Sequence, residues 1–211
     1  VKRPGARQTR HRLILEPGLP PLLGDLGGGG GWVTALRLPA LHALTKGLPA
    51  RPRGQGELAK LLEAREVPVA IAGDGWPSEM QLLNLRWLPP MDEPLASALL
   101  TALLGFYPRI RQDYHHLEGD AALPDAVTEA SLRRLIRLRS LTIHAIPHAS
   151  TPYLGAEFAC SWDDEHGLGM LTAGTEILSI GTADIVEDHG PTQAHRDAVL
   201  AALKRPGPSP A

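Results

Sequence analysis

Past residue 140 the apolar residues of this chain stop recurring at helical spacing and begin to alternate. Leu141-Thr142-Ile143-His144-Ala145-Ile146 is followed by short apolar runs at 153–160, 168–172 and 176–180, each closed by turn residues. A period of two over short, closely spaced runs predicts strands joined by tight turns, an antiparallel meander. Upstream the spacing is helical. Leu95, Leu99 and Leu103 form one row and Ala98, Ala102 and Phe106 another, which predicts a buried helix from Asp92 to Phe106. Asp92 is placed to cap it, Pro94 sits in the first turn where its missing N–H costs nothing, and Pro108 is expected to end it. A second helix is expected from Pro124 to Arg139, with Leu132, Leu135 and Ile136 inward and Arg133, Arg134 and Arg137 outward. A last helix is expected from Thr192 to Leu203, with Lys204 and Arg205 at its carbonyl end. Helices segregated from a run of strands define an α+β fold, with an antiparallel β-meander in the C-terminal half packed against helices.

The N-terminal quarter has a different texture. Prolines recur through residues 1–55, and Gly27 to Gly31 form an unbroken run. Such a run has the largest backbone entropy to lose, so it reads as a flexible linker. A phosphate loop would end in Lys-Ser or Lys-Thr, whereas Trp32-Val33-Thr34 follows here. Glu57 to Arg65 reads as a short helix, Val67 to Ala72 as a buried strand closed by Gly73-Asp74-Gly75, and Gln81 to Leu88 as a second apolar run. The expected organisation is a Pro/Gly-rich, partly flexible arm (1–55), an α+β domain (56–205) carrying a hairpin at 153–181, and a disordered tail (206–211). At 211 residues the chain can bury one sizeable core. With 2 Phe and 3 Tyr, the 4 tryptophans are its largest pieces.

The bulk charge excludes more than it suggests. A net charge of −2 creates no field that calls for nucleic acid or an anionic membrane. No apolar run approaches the roughly 18 residues that a bilayer span needs. No segment has the pattern of a secretion signal, so a cytoplasmic location is expected. The lone Cys160 excludes an internal disulfide and a zinc site built on several thiolates.

Chemistry-bearing residues concentrate in EFACSWDDEHGLGMLTAG, residues 157–174. Cys160 shares a strand face with Leu154, Ala156 and Phe158, which places it in the core as a small hydrophobe and not as a nucleophile. Asp163, Asp164, Glu165 and His166 allow two readings. They could hold a divalent ion or do acid–base work, but neither a calcium-loop spacing nor His-Glu-x-x-His is present, so ligands such as His144, His148 or Asp184 would have to join them. Alternatively, an Asp accepts bonds from nearby backbone N–H groups and closes a turn, Gly167 and Gly169 permit close approach, and Trp162 plugs the end of the sheet. The turn reading is preferred, with one Asp of the cluster and His166 as buried, satisfied polar groups. His115 and His116, beside Asp113 and Glu118, read as a solvated loop. His189 and His195 are too isolated to argue from.

Trp162-Asp163-x-Glu165-His166-Gly167-Leu168-Gly169, followed by Ile180-Gly181-x-Ala183-Asp184, resembles the signature of a family of uncharacterised bacterial proteins. These are small soluble domains, some of them similar to immunity proteins of toxin systems. The resemblance covers residues 90–190, most closely 150–185, and implies Trp162, Asp163, Glu165, His166, Gly167, Gly169, Gly181 and Asp184 as the signature or binding residues. It implies no reaction. The expected function is a non-catalytic protein-binding or regulatory module, immunity-like by resemblance, with no catalytic residue, metal or cofactor and another protein as partner. The alternative is a metal-assisted hydrolase built on Asp163, Glu165 and His166. Nucleic-acid binding through Arg133, Arg134 and Arg137 ranks last, because no stacking aromatics flank those arginines.

Overall fold

The structure, a computed structural model, describes residues 10–13, 19–25, 30–46, 66–73, 75–118, 122–146, 151–188 and 190–203. The expected helix at 57–65, the tail at 206–211, and His148 and His189 lie outside these residues. Eight strands form one sheet whose spatial order is the chain order: β1 Arg10–Leu13, β2 Leu22–Asp25, β3 Gly30–Leu36, β4 Val67–Ile71, β5 Ile136–Ile143, β6 Tyr153–Cys160, β7 Leu168–Ala173 and β8 Glu176–Gly181. Neighbours are antiparallel except β4 and β5, which run parallel. A parallel pair requires a long crossover. Residues 72–135 supply it and carry α2 Glu79–Trp87, α3 Asp92–Asp113 and α4 Glu129–Leu135. With α1 Pro39–Ala43 these helices line one side of the sheet, and a single apolar core lies between. The α+β class and the C-terminal meander β5–β8 are as the sequence predicts.

The stretch expected as an N-terminal arm contributes β1–β3 and α1, and Leu22, Trp32, Leu36 and Leu41 belong to the common core. Its glycines serve close approach. A Cβ at Gly24 would lie 2.7 Å from the Trp32 ring. Gly30 and Gly31 of the glycine run are strand residues of β3, while 27–29 lie outside the described residues.

Three helical expectations need correction. Pro108 does not end α3, which continues to Asp113. Tyr107 and Ile110 extend its buried stripe, and their burial outweighs the one bond that Pro108 removes. Asp92 does not cap α3. Its buried carboxylate accepts the amide protons of Ala40 (2.8 Å) and Leu41 (2.9 Å), capping α1 from across the fold. The helix expected at 124–139 is only seven residues long, opened by a reciprocal Thr128–Ser131 capping box, and the chain turns extended at Ile136. β5 bulges between Leu138 and Ser140, so Ile136 and Leu138 share the core with Leu141 and Ile143. That extra residue breaks the alternation, and the surviving spacing imitates a helix. Arg137 therefore belongs to a strand, and Arg133 is paired with Glu129 at 2.7 Å, so the expected arginine face does not exist.

The opposite side of the meander carries a 3-10 turn, Ala183–Glu187, and α5 Gly190–Leu203. α5 is held where the Tyr153 hydroxyl meets His195 Nδ1 at 2.9 Å and Glu176 lies 3.4 Å from His195 Nε2.

Candidate functional site

β6 and β7 pair in register from Tyr153↔Ala173 to Phe158↔Leu168, and residues 161–167 form the connection at their far end. Alternation along β6 sends Leu154, Ala156, Phe158 and Cys160 into the main core, as expected. Burial pushes the Cys160 thiol up to about 12, against weaker downward pulls that include its bond to the Asp163 carbonyl. A thiolate nucleophile is therefore out of reach near neutral pH. Expected outcome: Cys160 alkylates with iodoacetamide at least about a thousandfold slower in the native protein than in urea, measured by mass spectrometry. Native labelling at the free-thiol rate would contradict this burial.

Trp162 is buried at the end of the core and anchors the turn that follows. Asp163 organises it. Oδ1 accepts from the amides of His166 (2.8 Å) and Glu165 (3.2 Å), with His166 Nδ1 also 3.2 Å away, and Oδ2 accepts from the Tyr114 hydroxyl at 2.6 Å. The Asp163 carbonyl accepts from Gly167 N at 3.1 Å and from Cys160 Sγ at 3.4 Å. Burial raises the Asp163 carboxyl. The Tyr114 hydroxyl and then the His166 amide and ring outweigh it and hold the carboxyl below its ordinary range. Tyr114 is pushed up by its own burial and by bonding to that carboxylate.

Tyr114 was not legible as a site residue. It lies 49 positions from Asp163, just past the end of α3, and only the packing of α3 against the sheet joins them. The expectation for His166 also changes. Its side chain is 62% exposed, so the ring is not buried although its Nδ1 reaches Asp163, and its amide and carbonyl lock the turn. Asp164 and Glu165 are exposed beside it.

Residues 181–184 complete the same unit. The 3-10 turn folds back over the hairpin, with Ala183 N donating to the His166 carbonyl at 3.3 Å and the Asp184 carboxylate accepting from the Thr182 hydroxyl. Gly169 makes that fold possible, since a Cβ there would lie 2.5 Å from Ile185 Cγ2 and 2.6 Å from the Thr182 carbonyl oxygen. Gly155, absent from the expected set, plays the same part under Val186 at 2.8 Å. Gly181 pairs with Gly169 across β7–β8. Trp162, Asp163, His166, Gly167, Gly169, Gly181 and Asp184 thus join one compact unit, whereas Glu165 contributes only its amide. His144 is buried beyond β5, and among the described residues no three His, Cys, Asp or Glu side chains gather as a metal site.

These features define the class: an α+β domain built on a mixed sheet, with a hairpin clamped by a short 3-10 turn. The chain belongs to the family described as domain of unknown function DUF6985, which matches residues 54–187. The match starts well before the span expected from the signature, and it takes in β4–β8, the crossover helices and the 3-10 turn. Nothing among the curated proteins or the solved structures matches this chain.

Proposed function

We propose that this protein is a non-catalytic binding module whose recognition surface is the tip of the β6–β7 hairpin. One observation carries the reading. Both carboxylate oxygens of Asp163, the least exposed acid of the cluster, are committed to holding the turn, and the side chains of Asp164, Glu165 and His166 project from a rigid tip. Polar groups on a loop fixed by a sheet suit recognition of another protein. A basic partner surface fits the two exposed carboxylates, and an immunity-like role is one form such binding would take. The metal-assisted hydrolase reading needs Asp163 to turn away from Tyr114 and the turn amides, and no observation favours that.

Two measurements test this. Titrating dialysed protein with Zn²⁺ or Mn²⁺ is expected to leave its melting temperature unchanged, because a ligand bound only by the native state would raise it. A metal-dependent rise of several degrees would transfer the site to the hydrolase reading. A photo-crosslinking residue at position 165, in cells that make the protein natively, is expected to yield one dominant adduct that Asp164→Lys abolishes without changing the melt. Equal labelling from position 97, on the exposed side of α3, would remove the basis for a specific surface.

A further inference from the structure

On the sheet face opposite α1–α4, the register aligns Val33, Ala70, Thr142 and Gly155 in one row across β3–β6. The 3-10 turn covers this row at Gly155 and no further. Val33, Ala70 and Thr142 remain half-buried and form the floor of a cleft of about 410 Å³, with Val186 and Glu187 as its wall. Small-ligand sites occupy roughly 300–1,000 Å³.

Its position follows from topology. β4 and β5 are the parallel pair, and the cleft lies at their carboxyl ends, beside Gly73 and His144. From there the chain leaves β4 for α2, and β5 runs toward its hairpin partner β6. Chain paths diverge at such a point and leave a crevice, which is where ligands gather in sheets with parallel strands. The hairpin tip lies at the other end of β6, so this is a separate site.

The lining selects for charge. Glu187 is exposed and has no ion-pair partner among the described residues. The carbonyl oxygens of Ile71 and Gly73 lie 2.5 and 3.4 Å from where a side chain at Gly31 would begin, so only glycine fits against the backbone at this end of the cleft. No lysine or arginine is among the described residues that line the cleft. An exposed carboxylate on the wall of a cleft of mixed polar and apolar lining, with no lysine or arginine among those residues to balance it, attracts a cation whose aliphatic stem can lie against Val33 and Ala70.

We infer that the cleft between Val33–Ala70–Thr142 and the Val186–Glu187 wall binds an alkyl cation, an ammonium or guanidinium group whose stem lies on the floor and whose charge faces Glu187. The test is an amide-resolved NMR titration of the full chain with n-butylguanidinium and with n-butylurea, its neutral isostere. n-Butylguanidinium is expected to cause saturable shifts at the amides of Ala70, Ala72, Thr142 and Glu187, and to bind about fivefold more tightly than the urea, the factor a partly exposed ion pair supplies. Glu187→Gln should erase that preference. Ala70→Leu, which fills the floor, should abolish binding of both, with the rest of the spectrum reporting an intact fold.

N-acetyl-arginine methylamide separates the two sources of such a cation. Tighter binding than n-butylguanidinium assigns the cleft to a side chain of a bound peptide, and weaker binding to a free small cation. The inference is overturned if neither guanidinium compound gives saturable shifts at those amides up to about 50 mM, or if n-butylurea binds as tightly as n-butylguanidinium.

Discussion

Gly167→Ala is expected to lower the melting temperature by about 10 °C. Gly167 ends the hairpin connection at φ +71, a left-handed conformation that L side chains rarely adopt, and holding a non-glycine residue there costs about 1–3 kcal/mol. Its Cβ would also lie 2.7 Å from the carbonyl oxygen of Phe158. That oxygen belongs to a strand between two neighbours and cannot retreat without disturbing the ladder, which adds about 1–3 kcal/mol. Roughly 3 kcal/mol in total, at about 2–4 °C per kcal/mol for a chain of this size, gives the expected shift. Gly75→Ala is the control, since nothing lies within 4 Å of its Cβ position. Thermal melts followed by circular dichroism decide the matter. If Gly167→Ala melts with the parent, the hairpin is not the rigid element on which the proposed surface depends.

The second large effect is expected at Asp163. Asp163→Ala leaves the Tyr114 hydroxyl and the Glu165 and His166 amides without their acceptor, at about 2–4 kcal/mol. Tyr114→Phe removes one bond of the same network and should cost less, about 1–2 kcal/mol. The pair also sets an acid limit. The folded carboxyl titrates below its unfolded value of about 3.9, so its stabilisation is fully present above that pH and disappears as the pH falls through the folded value. Asp163→Asn should therefore flatten the dependence of stability on pH below about 4, and Tyr114→Phe should shift the loss to higher pH. Urea melts at pH 3 to 7 measure both. An unchanged acid limb in Asp163→Asn would show that other carboxylates control acid unfolding.

Much of the fold is visible in one dimension because successive side chains of a strand face opposite sides of the sheet. The place of Cys160 beside Leu154, Ala156 and Phe158 shows this, although β6 is buried at all but one position and β7 throughout. β5 hides its beginning, since a bulged residue inserts a spacing of three between Leu138 and Leu141. The N-terminal strands hide in glycine, where close approach to Trp32 and to the Ile71 carbonyl looks like flexibility in the sequence. Pro108 misleads because the cost of a proline is local, while the burial of Tyr107 and Ile110 that offsets it comes from their place in the common core.

By itself the sequence determined the α+β class, the C-terminal meander and the capacity of an aspartate between Trp162 and the glycines to close a turn, since each depends on residues adjacent in the chain or spaced by a period. The tertiary structure alone decided which aspartate bonds Tyr114, why Gly155 and Gly169 must lack side chains, and where the uncovered row Val33–Ala70–Thr142 meets Glu187. Those contacts join residues more than ten positions apart. No local preference encodes them, and they exist only once the crossover helices and the 3-10 turn have packed on opposite faces of one sheet.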